Sequence, residues 1–142
     1  KRFLTGTQSV LALSAVSASL LVFEGLAMRE IRAQSLALTR HFIARREQSS
    51  VLQSHSALVT PVDGTRRGSQ VSLAFEHAFP VSQALIADGV IVDFREPNIV
   101  RFGFSPLYNT FSDADQAIAS LEAVLTNERH RLPQYQIRLT VT

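Results

Sequence analysis

The sequence predicts an α+β fold, a small and largely antiparallel sheet with helices packed on one side of it. Two observations support this class. The chain has 142 residues, 46% of them hydrophobic and 18% charged, which is the size and composition of one ordinary folded domain. Segments with the period-two alternation of strands also occur among segments with apolar residues at helical spacing, in the order α-α-β-β-α-β-β-α.

The first 48 residues are predicted to be helical. The run Phe3–Phe23 carries no charge and resembles a secretory signal peptide, but four serines dilute it. A transmembrane helix needs about twenty predominantly apolar residues, and this run falls short. We therefore expect a helix that is buried on most sides against something large. After Gly25, apolar spacing predicts a packing helix that ends near Glu47, with a seam of Met28, Ile31, Ser35, Leu38 and Phe42.

The remaining residues alternate between predicted strands, turns and helices. In the strand over 69–75, Val71, Leu73 and Phe75 share the buried face. Ser112 with Asp115 resembles a capping box at the start of the last helix. The other predicted elements are a short strand over 57–62, a turn over 63–68, a helix over 79–89, strands over 90–94 and 99–104 joined by a turn, and a candidate extended tail over 134–142.

The composition excludes several classes of site. The net charge is only +2 and the arginines are scattered, so we expect no nucleic-acid binding, which requires clustered cations. The chain has no cysteine, and its four histidines lack metal-ligand spacing, so we expect no metal site. No phosphate loop, nucleophile motif or acid/base pair of carboxylates is present, and Asp113 and Asp115 are better explained as charges in the first turn of a helix.

One residue stands out in the strand over 99–104. Alternation places Val100, Phe102 and Phe104 on one face, and Arg101 on the other between Ile99 and Gly103. An arginine in an otherwise apolar strand is either a solvated edge residue or an anion-binding group. The residues alone leave both possibilities open.

Five segments together resemble the C-terminal part of kynureninases, pyridoxal-phosphate enzymes with the aspartate-aminotransferase fold. In chain order they are GTQSVLAL, LTRHFI, TPVDGTRRGSQVSL, GVIVDFREPNIVRFGFSPLYNTFSD and the final VT. The resemblance implies the C-terminal small domain of a fold-type I enzyme of this kind. In that arrangement, residues 1–48 are a helical segment that links to a large cofactor-binding domain absent from this chain, and residues 49–142 are the α+β small domain.

The resemblance also implies roles for two residues. Arg101 corresponds to the arginine that binds the α-carboxylate of the amino-acid substrate, and a guanidinium is suited to this because it can bind a carboxylate through two hydrogen bonds. Thr7 corresponds to a residue that hydrogen bonds the cofactor phosphate across a dimer interface, and it could also cap the following helix. Arg66, Arg67 and Arg95 are interpreted as structural pairs or as surface charge. Tyr108 is interpreted as a packing residue.

The implied activity is hydrolysis of L-kynurenine or 3-hydroxykynurenine to anthranilate or 3-hydroxyanthranilate and L-alanine, in tryptophan catabolism. The family implies a cytoplasmic homodimer that binds neither nucleic acid nor membranes. Lys1 is the only lysine and lacks the family's Tyr-Lys setting, so this chain alone is expected to be inactive. Two alternatives stay open: a stand-alone binding module, whose apolar residues 10–23 would need self-association to be covered, and another class-V enzyme such as a cysteine desulfurase.

Overall fold

The computed structural model describes residue 6 and residues 8–138. Its centre is a four-stranded sheet in the order β1-β2-β4-β3, in which every neighbouring pair is antiparallel. The strands are β1 (Ala57–Leu58), β2 (Gln70–Ala74), β3 (Asp93–Arg95) and β4 (Ile99–Gly103). The predicted α+β class with a small antiparallel sheet is confirmed, although β1 and β3 are shorter than the sequence suggested.

The described residues also form six α-helices: α1 (Val10–Leu20), α2 (Met28–Gln48), α3 (Ser50–His55), α4 (Ala78–Ala87), α5 (Phe111–Thr126) and α6 (Pro133–Gln136). Short 3₁₀ turns cover Leu21–Phe23, Gly64–Arg66 and Arg129–Arg131. The chain leaves α4 through Gly89, whose φ of +83° is a left-handed conformation that favours glycine. This agrees with the predicted position of Gly89 at the end of that helix.

The core lies between one face of the sheet and helices α2, α4 and α5. The Phe42 ring of α2 is fully buried, 4.8 Å from the ring of Phe102 and 5.1 Å from that of Phe104. Ser35 and Leu38 are buried on the same seam, as predicted. Met28 is 69% exposed, so the seam prediction is wrong at its first residue, because nothing in the described chain packs over the first turn of α2. The division of the chain at residue 48 stays a prediction, and Leu38 and Phe42 lie in the same core as the sheet.

Helix α1 differs from its prediction in burial. The sequence correctly indicates a helix here, and Ser9 caps it by accepting a hydrogen bond from the backbone N–H of Ala12. None of the residues of α1 is buried by the described part of the chain. The expected burial on most sides is therefore not supplied by these residues.

Two predicted details near the C-terminal end are wrong. The capping box of α5 is formed by Thr110 and Asp113 rather than by Ser112 and Asp115, because the helix begins two residues earlier than expected. Within the candidate extended tail, the chain forms the short helix α6, which begins at Pro133, a residue suited to a first helical turn. Residues 139–142 lie outside the described part.

Between residues 8 and 138, no single helix has both the length and the apolar character of a membrane span. The segments Val10–Phe23 and Met28–Gln48 reach that threshold only as a pair, and the pair is bent by 82°.

Candidate functional site

Arg101 lies in the middle of β4, which has a strand on each side. The register pairs Arg101 with Ser72 of β2 and with Asp93 of β3. Its neighbours Val100 and Phe102 are buried toward the helices, so the Arg101 side chain is on the opposite face of the sheet. The predicted alternation of this strand is confirmed. The side chain is 30% exposed, which is intermediate between a solvated edge residue and a buried one.

A small charge cluster forms around this arginine. Arg101 Nη2 donates a hydrogen bond to Asp93 Oδ2, and the same oxygen accepts a second hydrogen bond from Arg95 Nε at 3.1 Å. The Nε atom of Arg101 is buried and makes no hydrogen bond in the described part of the chain. Two guanidinium groups thus share one carboxylate. The cluster has a net charge of +1 and unused N–H donors, which are the properties of an anion-binding group.

The space next to Gly103, two residues after Arg101 on the same face of β4, is open. A Cβ atom added to Gly103 would meet no described atom within 4 Å, so this residue leaves room for a ligand to approach. A cavity of about 410 Å³ lies at the C-terminal end of β4, and its lining includes Gly103, Asn109 and Tyr108 but not Arg101. Tyr108 is 77% exposed, so the described residues do not supply the packing predicted for it, and that role stays a prediction.

Comparison with known proteins places the chain in a family. Residues 31–121 match the family described as the kynureninase C-terminal domain. The chain belongs to this family. Among curated relatives, the kynureninase of Burkholderia mallei (strain SAVP1) is 46% identical over 141 residues, and that of Pseudomonas fluorescens is 43% identical over the same length. Each alignment covers 99% of this chain and 34% of the relative, so the chain spans about a third of the length of these relatives.

A solved structure supports the fold. The protein named NifS-like protein superposes with a TM-score of 0.63 and 17% identity, covering 87% of this chain and 35% of that one. At this identity the likeness bears on the fold alone, and it agrees with the α+β architecture that the kynureninase resemblance predicted.

The second residue that the kynureninase resemblance singles out, Thr7, lies outside the described residues, as does Lys1. The structure therefore does not relate Thr7 to Arg101, and its phosphate role stays a prediction. Between residues 8 and 138, no group of three or more histidine, aspartate or glutamate side chains has the arrangement of a metal site.

Arg67 is a structural residue of this kynureninase domain. It is 8% exposed, and its Nε donates to Thr39 Oγ1 of α2 at 3.1 Å. Its Nη1 donates to the backbone carbonyls of Pro61 and Val62, so the side chain joins α2 to the loop after β1. Burial lowers the pKa of Arg67 from its ordinary value, since desolvation disfavours the charged form. The sequence left a structural role and a surface charge open for this residue, and its burial decides for the structural role.

The residue that sequence reasoning missed is Asp93. It lies eight positions before Arg101 in the chain and near the end of the predicted strand over 90–94, where the sequence pattern does not mark it as a partner of that arginine. Only the antiparallel pairing of β3 with β4 brings it beside the arginine. The turn over 95–98, which joins the two strands, was the one available signal, because a hairpin of known register brings residues on the two strands opposite each other.

Proposed function

We propose that this chain is the C-terminal part of a kynureninase that hydrolyses L-kynurenine or 3-hydroxykynurenine. In this reaction water cleaves the bond between the side-chain carbonyl carbon and Cβ, so that anthranilate or its 3-hydroxy form takes the hydroxyl and L-alanine takes the hydrogen. Arg101 binds the α-carboxylate of the substrate. The observation that carries the proposal is the position of the Arg101 guanidinium, on the free face of the sheet with unused donors in a cluster of net positive charge.

The environment of Arg101 suits a carboxylate in two ways. The side chain is partly withdrawn from water, which strengthens its interaction with an anion relative to a fully solvated arginine. The strand backbone also fixes the root of the side chain, so less conformational freedom is lost when a ligand binds. A carboxylate held here would fix the orientation of the substrate Cα relative to the rest of the site, and such positioning contributes to rate.

Pyridoxal phosphate would be the cofactor of the full-length enzyme, and it supplies an electron sink for the carbanion formed at the substrate's Cα. The described residues do not provide a site for it. They contain no lysine to hold its aldehyde, and the only lysine of the chain, Lys1, lies outside them. We therefore assign cofactor binding to the remaining two thirds of the protein, with Thr7 as a phosphate contact across a homodimer interface, and derive no step of the reaction through it.

The exposed apolar side chains of α1 and of the turn after it support the proposal that this chain has binding partners. Leu11 is 85% exposed, Val10 73% and Leu21 61%, and further apolar side chains continue through Phe23. So many exposed large apolar side chains in one segment are unusual on an isolated monomer and indicate an interface. In the proposed enzyme, the cofactor-binding domain or the second subunit covers it.

The experiment is substitution of Arg101 in the full-length, cofactor-loaded enzyme. Arg101→Ala is expected to raise KM for L-kynurenine by about 100-fold, because a charge-assisted and partly desolvated contact is lost. Arg101→Lys keeps the charge but loses the planar fork, and its KM should lie between those of the wild type and the alanine variant.

The matched control is Arg129→Ala. Arg129 is also paired with an aspartate, Asp88 at 2.6 Å, but it joins the end of α4 to the turn after α5. Its loss should leave KM unchanged. Visible absorbance of the bound cofactor shows that each variant is loaded. An Arg101→Ala enzyme that is loaded and retains the wild-type KM would overturn the assignment.

A further inference from the structure

Asp93 is placed to control how Arg101 presents its donors. It is the residue directly across from Arg101 on β3, and the described residues offer no other hydrogen-bond acceptor to that guanidinium. Asp93 is in turn held by Arg95, two residues along on the same strand and therefore on the same face of the sheet. The three side chains form a chain of contacts from Arg95 to Asp93 to Arg101.

The contact with Asp93 leaves Arg101 able to bind a ligand. A guanidinium has five N–H groups, and Asp93 engages one nitrogen, Nη2, through one oxygen. Each of the two hydrogens of Nη2 belongs to a different edge of the planar group, one shared with Nε and one shared with Nη1. Because Nε is buried, the edge available to a ligand is the one formed by Nη1 and Nη2, and it keeps both of its N–H groups when Asp93 accepts the hydrogen on the Nε side. A carboxylate can bind that edge through two hydrogen bonds without displacing Asp93.

We infer that Asp93 is a positioning residue, which holds the Arg101 guanidinium in the orientation that receives the substrate carboxylate, with Arg95 holding Asp93 in turn. This inference rests on the proposed role of Arg101. The charges agree with it, because two arginines and one aspartate leave a single positive charge, which one substrate carboxylate neutralises. Without Asp93, the arginine side chain would sample several rotamers on an open face, and ordering it would oppose substrate binding.

The competing reading of the same contact predicts the opposite result. If Asp93 instead occupied the edge that the substrate needs, its carboxylate would compete with that of the substrate, and its removal would lower KM. Asp93→Asn distinguishes the two, because asparagine has nearly the same shape and loses the charge. In the full-length enzyme, positioning predicts that Asp93→Asn raises KM for L-kynurenine by about tenfold, the effect of losing one hydrogen bond to a charged group. Turnover at saturating substrate should change much less.

Two further variants separate positioning from a general loss of structure. Asp88→Asn breaks the Asp88–Arg129 pair, which is also an aspartate–arginine contact, and should leave KM unchanged. In an Arg101→Gln background, Asp93→Asn should have no additional effect on KM, because Asp93 acts only through the arginine.

A lowered or unchanged KM in Asp93→Asn would overturn the inference, and so would an equal effect of that substitution with and without Arg101. These outcomes are distinct from failure of the proposed function. If Arg101→Ala raises KM and Asp93→Asn does not, only the positioning role fails. If Arg101→Ala has no effect, both fail.

Discussion

Phe42 attaches α2 to the sheet, and removal of its ring should lower the stability of the chain substantially. Its side chain has no exposed surface, and it contacts two further aromatic rings, those of Phe102 and Phe104, at 4.8 Å and 5.1 Å. The neighbouring helix α5 packs against α2 as well, so the site is enclosed by the sheet and by a second helix. A cavity left here could collapse only in part.

The size of the effect follows from this environment. Substitution of a buried phenylalanine by alanine costs about 3–5 kcal/mol, and an enclosed site favours the upper half of that range. Phe42→Leu keeps most of the apolar volume but loses two ring contacts, each of which contributes roughly 0.5–1.5 kcal/mol. We therefore expect losses of about 4 kcal/mol for Phe42→Ala and about 2 kcal/mol for Phe42→Leu. Since the total free energy of unfolding of a domain is roughly 5–15 kcal/mol, the loss expected for Phe42→Ala is a large share of it.

Urea unfolding of the 142-residue chain, followed by far-ultraviolet circular dichroism, measures both values. If Phe42→Ala does not fold, Phe42→Leu still gives a measurable loss in the free energy of unfolding. Met28→Ala is the matched control, because Met28 lies on the same predicted seam but is 69% exposed, and its loss should change the free energy of unfolding by less than about 0.5 kcal/mol. A loss below about 2 kcal/mol for Phe42→Ala, or an equal loss for Met28→Ala, would refute this account of the core.

Two other predictions concern α5 and the turn that follows it. Thr110→Ala should lower the free energy of unfolding by about 1 kcal/mol, because the Thr110 side chain caps α5. Ser112→Ala is the control and should change it little. Equal effects of the two substitutions in the same urea assay would contradict the observed cap. His130 is 6% exposed and stacks on His77, and burial lowers the pKa of His130 below its ordinary value. As pH falls below about 6.5 the unfolded chain therefore takes up a proton more readily than the folded chain, and stability falls. His130→Gln removes this contribution, so unfolding measured from pH 8 to pH 5 should show a shallower loss of stability than in the wild type; equal slopes would argue against it.

The local elements could be predicted because their determinants are local. Alternation along β2 and β4 correctly indicated which side chains face the helices, since successive residues of a strand point to opposite faces. Helical spacing correctly indicated α2 and its buried residues Leu38 and Phe42. The start of α5 was misplaced because Thr110–Asp113 and Ser112–Asp115 both have the three-residue spacing of a capping box, and the sequence does not say which pair lies at the first turn.

The candidate site likewise has features that could be predicted from the sequence and features that could not. Alternation along the strand was enough to place Arg101 on the face opposite the core, and the five segments that resemble kynureninases were enough to predict the family. Both are properties of residues close together in the chain. Three features became visible only in the folded chain: Asp93 is the partner of Arg101, Arg67 is buried against Thr39, and the apolar residues of α1 are uncovered in the described part. Each of these depends on which strands and helices meet and in what register, and contacts between distant segments leave no periodic signal in the sequence of either one.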